Sequence, residues 1–85
     1  MQSKARIRWA CRRGMLELDV LLMPFFDACF DDFSSKERTI FVRFLDSDDP
    51  DLFKWLMRHG QSDDVELAQM VDKILAFNQT RLHQA

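Results

Sequence analysis

Glycine and proline are scarce in this sequence, and their scarcity limits the folds that the chain can adopt. Only two glycines and two prolines occur in 85 residues, whereas an all-β fold needs turn residues at nearly every connection between its strands. Apolar residues recur instead at spacings of three and four, which place side chains on one face of an α-helix. We therefore expect an all-α fold, a compact five-helix bundle. Because 47% of the residues are hydrophobic, the chain has enough apolar side chains to form a buried core.

The length of the chain indicates one domain. Eighty-five residues can enclose one hydrophobic core but not two, so we expect residues 1–85 to form a single helical domain. Its ordered core is predicted to cover about residues 3–78, and the segment NQTRLHQA that begins at Asn78 is expected to fray.

The sequence also bears on localisation. No apolar run approaches the roughly 18 residues of a membrane span, and no apolar segment follows the basic N-terminus as it would in a secretory signal. We therefore expect a cytoplasmic protein without direct membrane insertion. In that compartment Cys11 and Cys29 are predicted to be reduced, packed thiols rather than a disulfide.

Two helices are predicted in the first third of the chain, one on each side of Gly14. The first carries a narrow apolar stripe formed by Ile7, Ala10 and Cys11. Gly14 suits the left-handed backbone that often ends a helix, and Glu17 lies at the start of the next helix, where an acidic group interacts favourably with the helix dipole. The second helix is predicted from Met15 to Asp32. Pro24 should kink or divide it, because proline lacks a backbone N–H.

Three more helices are predicted from their capping residues. The segment SSKE at positions 34–37 is a capping box, with Ser34 as the N-cap of the third helix. Asp49 is predicted to cap the fourth helix, with Pro50 in its first turn and Gly60 at its end. The fifth helix is predicted to open at Asp63. Since the connections are short, consecutive helices should fold back on one another as an antiparallel bundle.

The sequence lacks the residue patterns of an enzyme or of a metal site. His59 and His83 have no partners at ligand spacing, and the acidic segment DSDDPD lacks the central glycine and the terminal glutamate of an EF-hand loop. Nucleotide-binding turns need clustered glycines, whereas Gly14 and Gly60 are 46 residues apart. We therefore predict no catalytic residue, no metal site and no tightly bound cofactor.

The charge is distributed unevenly along the chain. Residues 1–14 contain five basic and no acidic side chains, whereas the remaining 71 contain seven basic and fourteen acidic ones, for a net charge of −2. Such a distribution can steer a protein partner towards the chain. The acidic remainder would repel phosphate groups, so we do not expect a nucleic-acid partner.

A candidate binding surface lies on the first helix, opposite the stripe that contains Ile7. At 3.6 residues per turn, Trp9 falls on that side, with Arg6 at i−3 and Arg13 at i+4 of it. Arg8 belongs to the same basic segment. A large aromatic residue between arginines is typical of an interaction hot spot. Alternatively, neighbouring segments cover Trp9, because a short helix can be packed on two sides.

The segments ARIRWACRRGMLELDVLLMPFF and DDPDLFKWLMRHG resemble the small bacterial SdhE family, also called YgfY, and the likeness covers nearly the whole chain. The hallmark of that family is an RGxxE motif, which is here Arg13-Gly14-Met15-Leu16-Glu17. The resemblance implies a non-enzymatic assembly factor that binds the flavoprotein subunit of succinate dehydrogenase and of fumarate reductase. It would promote the covalent attachment of FAD, which the client protein itself holds.

The resemblance also implies where the client binds, because the motif surface of the family meets the client. The predicted partner-binding residues combine the motif with the helix-wheel analysis: Arg6, Arg8, Trp9, Arg13, Gly14 and Glu17. The resemblance further implies a monomer. The alternative function is that of an antitoxin-like regulatory module that acts against a small membrane toxin.

Overall fold

The computed structural model describes residues 3–82, and over that range the chain forms five α-helices joined by short loops. They are α1 (Lys4–Ala10), α2 (Leu16–Cys29), α3 (Ser35–Leu45), α4 (Asp49–Leu56) and α5 (Val65–Leu82), and one 3₁₀ turn (Phe30–Asp32) follows α2. The predicted all-α, five-helix fold is confirmed. The α-carbon radius of gyration is 12.0 Å. His83, for which no metal partner was predicted, lies outside the described residues.

The hydrophobic core is centred on α2, which packs against α4 and α5. Phenylalanine rings fill much of the core, and each of the following is at most 3% exposed: Phe25, Phe26, Phe30, Phe41 and Phe44. The rings of Phe26 and Phe30 stack with their centroids 4.6 Å apart, and Phe25 meets Phe77 of α5 edge-on at 5.8 Å. Apolar burial of this extent is the main favourable term in folding.

α1 is a short helix that buries one side only. Ser3 caps it by accepting a hydrogen bond from the Arg6 backbone N–H at 3.2 Å. Ile7 is 4% exposed and Cys11 is fully buried, which confirms the predicted apolar stripe. The chain leaves α1 after Ala10 and reaches α2 through a loop at Gly14, whose φ of 77° is the left-handed conformation expected of a glycine at this position.

Pro24 lies inside α2 but does not divide it. Proline has no N–H to donate to the Val20 carbonyl one turn earlier. That carbonyl accepts a hydrogen bond from Nη2 of Arg81 at 3.1 Å. The next carbonyl, of Leu21, accepts from Nδ2 of Asn78 at 3.0 Å. Two side chains of α5 thus supply donors where proline interrupts α2.

The same contacts account for the length of α5. Fraying was predicted to begin at Asn78, and this prediction is wrong, because α5 continues to Leu82. Asn78 is 2% exposed, and its Oδ1 accepts a hydrogen bond from Nη2 of Arg81 at 2.9 Å. Asn78 and Arg81 therefore link the last turn of α5 to α2, although the side chains of residues 79–82 are exposed.

The predicted N-cap residue is correct for α3 and shifted by one position for α4 and α5. Ser34 and Glu37 form the predicted capping box. The residue at the N-cap position of α4 is Asp48 rather than Asp49, and its side chain makes no capping hydrogen bond. The Asp49 carboxylate lies within the helix and is paired with Arg13.

The start of α5 and the end of α4 also differ from the sequence prediction. Asp64, not Asp63, caps the first turn of α5: its Oδ1 accepts a hydrogen bond from the N–H of Glu66 at 2.9 Å. At the end of α4 the left-handed residue is Arg58, with a φ of 59°, rather than Gly60.

Candidate functional site

The loop between α1 and α2, with the adjoining turns of both helices, carries the candidate site. Exposed side chains and backbone cluster along this segment, and we refer to them together as the corner surface: Arg6, Trp9, Arg12, Gly14, Leu16 and Glu17. Trp9 and Leu16 are 71% and 73% exposed. Large apolar side chains that are exposed together beside charged groups are typical of a binding surface.

The described part of the chain does not cover Trp9, so of the two alternatives its exposure is the one observed. The guanidinium carbon of Arg12 lies 5.6 Å from the centroid of the Trp9 ring, within the range of a cation–π interaction. Arg6 borders a shallow depression next to Trp9. The cation over the indole is therefore Arg12, which the sequence analysis did not select, and not Arg13.

Arg13 points inward, and only 18% of its side chain is exposed. Its Nε donates to Asp49 of α4 at 2.7 Å. Nη1 donates to the carbonyls of Ala10 and Leu45, each at 2.9 Å, and Nη2 donates to the carbonyl of Ser47 at 3.1 Å. We call this set of contacts the Arg13 clasp; it joins the end of α1 to the end of α3 and the start of α4.

The backbone next to Gly14 is held against α2 by a hydrogen bond. The N–H of Arg13 donates to the carboxylate of Asp19, in α2, at 2.7 Å. A Cβ built on Gly14 would meet no atom within 4 Å. Glycine is therefore required here for its backbone conformation and not for internal packing, and any side chain at this position would project from the corner surface into solvent.

Arg8 and Glu17, the other two predicted residues, differ in their surroundings. Arg8 forms a two-point ion pair with Asp27 of α2, at 2.8 and 3.1 Å, and the hydrogen bond from Arg8 lowers the pKa of Asp27. The charge of Arg8 is thus matched within the chain. Glu17 is exposed in the first turn of α2 and forms no ion pair with any residue between 3 and 82.

Cys11 is a packed thiol, as predicted, and is not arranged as a nucleophile. Its side chain is fully buried, and its Sγ donates to the carbonyl of Ile7 at 3.5 Å. Burial raises the pKa of this thiol to about 12, although Arg13 and Arg8 act in the opposite direction. The group stays protonated at neutral pH, and both cysteines are free.

Two further properties concern the described residues as a set. None of the helices between residues 3 and 82 combines the length and the apolar character needed to cross a membrane. Over the same range, no group of three His, Cys, Asp or Glu side chains could hold a metal ion.

Comparison with known proteins gives concordant matches over nearly the whole chain. The family model described as flavinator of succinate dehydrogenase matches residues 5–78. A Vibrio cholerae protein named FAD assembly factor SdhE is 58% identical over 81 residues, which cover 95% of this chain and 94% of that protein. The protein of the same name from Yersinia pestis is 54% identical, with 95% and 92% coverage.

A solved structure agrees with these matches. The solution structure of a UPF0350 protein superposes with a TM-score of 0.77 at 55% sequence identity, and the match covers 99% of this chain and 93% of that one. The named relatives are assembly factors and not enzymes, in line with the prediction that the chain is not an enzyme. The chain belongs to the family of succinate dehydrogenase flavinators.

Proposed function

We propose that this domain binds the flavoprotein subunit of succinate dehydrogenase, and that of fumarate reductase, and promotes the covalent attachment of FAD to it. Membership of the flavinator family supports a flavoprotein client. The observation that carries the proposal is the corner surface, on which Trp9 and Leu16 are more than two-thirds exposed next to the open backbone at Gly14. Aromatic and arginine side chains are the residues that most often dominate the energy of a protein interface.

The charges of the corner surface indicate what the client must present. Arg6 and Arg12 form no ion pair with any residue in the range 3–82, and Glu17 supplies one negative charge a short distance along the chain. A complementary client surface has an apolar recess for Trp9, acidic groups around it and one basic group opposite Glu17. Such complementarity sets the orientation of docking and speeds the encounter.

The residues of the domain do not fit FAD as a resident group. Gly14 is the first of two widely separated glycines. A Cβ added at the second, Gly60, would overlap Cε of Lys54, so the Lys54 side chain already occupies the space beside it. Neither glycine provides the open, glycine-rich cradle that phosphate groups need. The client therefore holds the flavin in this proposal, and no step passes through a cofactor bound to this chain.

The domain then acts by positioning. The Arg13 clasp and the hydrogen bond from the Arg13 N–H to Asp19 hold the corner surface in one shape before the client arrives. A rigid surface that binds the reactive arrangement of the client more tightly than other arrangements shifts the client towards it. Holding reacting groups in a productive geometry can contribute several kcal/mol, on the order of 7 or more in the most favourable cases.

The test is to express the client flavoprotein with and without this domain in cells that lack their own assembly factor. Covalent flavin is measured by its fluorescence in a denaturing gel. We expect a several-fold increase in flavinylated client with the wild-type domain, and a loss of most of it with Trp9→Ala or Glu17→Ala. Val65→Ala is the matched control, because Val65 is 68% exposed but lies at the start of α5.

Two outcomes would contradict the proposal. Full flavinylation with a folded Trp9→Ala protein would remove the corner surface from the mechanism. Retention of a small membrane protein, and of no flavoprotein, in a pull-down with the domain would favour the antitoxin-like alternative.

A further inference from the structure

A groove lies between α1 and α3, on the side of α1 away from Trp9. Its volume is about 310 Å³. Ile7 and Phe30, which are 4% and 3% exposed, form its apolar lining together with Val42, and its polar edge includes Lys4 and Arg38. The groove therefore combines an apolar floor with cationic side chains at the rim, on a face separate from the corner surface.

Arg38 has fewer hydrogen-bond partners than a guanidinium group can use. The group carries five N–H donors, yet within residues 3–82 it makes one long hydrogen bond to an acceptor, from Nη2 to the Asp31 carbonyl at 3.5 Å. Its Nε is buried and has no partner among residues 3–82. Its Cζ lies 4.9 Å from the centroid of the Phe30 ring, which holds the cation at the edge of the groove.

The other basic side chains near the groove already have anionic partners. Lys4 is 2.9 Å from Asp31, and Lys36 is 3.9 Å from Glu66. Arg38 forms no ion pair within the described range. The groove thus offers one unmatched positive charge next to an apolar floor.

We propose that this groove binds a small amphipathic monocarboxylate. The carboxylate accepts hydrogen bonds from the Arg38 guanidinium, which suits the planar geometry of that group, and the hydrocarbon body covers Ile7, Phe30 and Val42. A phosphate monoester carries about 1.5 to 2 negative charges at neutral pH, more than the groove can match. The volume lies at the lower end of the range of roughly 300–1,000 Å³ for small-molecule sites.

The first experiment compares three probes that share one apolar body. Octanoate, octanol and octylamine are titrated separately into the ¹⁵N-labelled wild-type domain, below the concentration at which octanoate forms micelles, and amide chemical shifts are followed. We expect saturable shifts with octanoate at groove residues such as Ile7, Ser35, Arg38 and Val42. Octanol and octylamine should bind at least about tenfold more weakly, because a charge-assisted hydrogen bond is lost.

The second experiment uses matched variants whose folding is verified by circular dichroism. Arg38→Gln should weaken octanoate binding by about tenfold or more, whereas Arg12→Gln, which removes the same charge from the corner surface, should change it less than about twofold. Val42→Phe should fill the groove and also weaken binding.

The proposal is overturned if octanol or octylamine binds as tightly as octanoate, or if no saturable shifts occur. It is equally overturned if Arg12→Gln and Arg38→Gln have the same effect. Binding of a peptide with an acidic and an aliphatic side chain, without binding of octanoate, would assign the groove to a protein segment instead of a small ligand.

Discussion

Arg12 and Arg13 are neighbours in the sequence, but their guanidinium groups lie in different environments. Arg12 lies in solvent over the face of Trp9. Arg13 is largely buried in the clasp, where its donors meet Asp49 and three backbone carbonyls. The first arrangement leaves a cation available to a partner, whereas the second holds three elements of the same chain together. The two residues should therefore respond differently to substitution.

Replacing Arg13 by alanine should destabilise the domain, and replacing Arg12 should not. Arg13→Ala leaves buried carbonyl groups without their donors, so we expect the free energy of unfolding to fall by about 3 kcal/mol. Arg12→Ala should change it by less than about 0.5 kcal/mol while weakening client binding. Urea unfolding followed by circular dichroism measures the first quantity and calorimetric titration of the client the second. Equal stability of the two variants would disprove the structural role of the clasp.

Two substitutions of Gly14 can separate the backbone strain that any side chain causes at this position from the steric effect of a large side chain. Any L-residue at a φ of 77° is disfavoured by roughly 1–2 kcal/mol, so Gly14→Ala and Gly14→Arg should lower stability similarly. Because a side chain there meets nothing within the domain, arginine should project into the client and abolish most flavinylation, whereas alanine should retain a substantial part. Thermal unfolding and covalent flavin in the client are the two measurements. Flavinylation that is unchanged in Gly14→Arg would mean that the client binds elsewhere.

Among the elements, α2 and α5 depend on each other. α2 contains the proline that leaves the Val20 carbonyl without an intrahelical donor, and α5 contains Arg81 and Asn78, which donate to that carbonyl and to the next one. Because side chains of α5 donate hydrogen bonds at the point where Pro24 lacks an N–H, α2 stays continuous at Pro24. The same hydrogen bonds explain why α5 keeps its helical conformation through Arg81.

A double-mutant cycle tests this dependence. Arg81→Ala should lower the free energy of unfolding by about 0.5–1.5 kcal/mol, the usual value for one hydrogen bond. In a Pro24→Ala background the restored N–H at position 24 can donate to Val20, so the same substitution should have a smaller effect. The two effects are measured by urea unfolding, and their difference is the coupling energy. Additive effects would show that Arg81 does not serve the proline interruption.

Local sequence patterns predicted the helices better than their ends. The stripes of apolar residues identified five helices, and the box at Ser34 was correct because both partners lie within four residues. The sequence predicts Asp49 as a cap, because no nearby residue indicates that its carboxylate is paired with Arg13, 36 residues earlier. For the same reason the sequence could place Trp9 on the outer side of α1 but could not show that Arg13 turns inward.

At the scale of the whole molecule, surface ion pairs connect the helices around the core. Lys73 of α5 lies 2.6 Å from Glu37 of α3, and Arg43 of α3 contacts both Asp64 and Glu66 at the start of α5. These pairs are exposed, so each contributes little by itself and is screened by salt. Together they make the docking of α5 on α3 sensitive to pH and ionic strength.

Acid should weaken the domain partly through Glu37. Its ion pair with Lys73 and its hydrogen bonds with Ser34 lower the pKa of Glu37 from 4.5 to about 2. Since the carboxyl group is more acidic in the folded chain, its stabilising effect is complete above about pH 4.5 and is lost as the pH falls towards 2. We expect the free energy of unfolding to decline over this window, and to decline less in Glu37→Gln.

The control for this experiment is Asp51→Asn, which removes an exposed carboxylate of α4. Chemical unfolding is repeated at several pH values, at low salt and in 1 M salt (a Debye length of about 3 Å), and the contribution of Glu37 should shrink at high salt. A pH profile of Glu37→Gln that coincides with the wild type, while Asp51→Asn differs, would rule out the assignment.

The interruption in α2 has a consequence for synthesis of the chain. The side chains of Arg81 and Asn78, which donate hydrogen bonds to the carbonyls of Val20 and Leu21, lie 61 and 57 residues further along the chain. When translation has reached only α4, neither donor has been made, so the Val20 carbonyl, which has no donor within α2, can bond only to water. The second helix to be made thus completes its hydrogen bonds only after the last helix has been made.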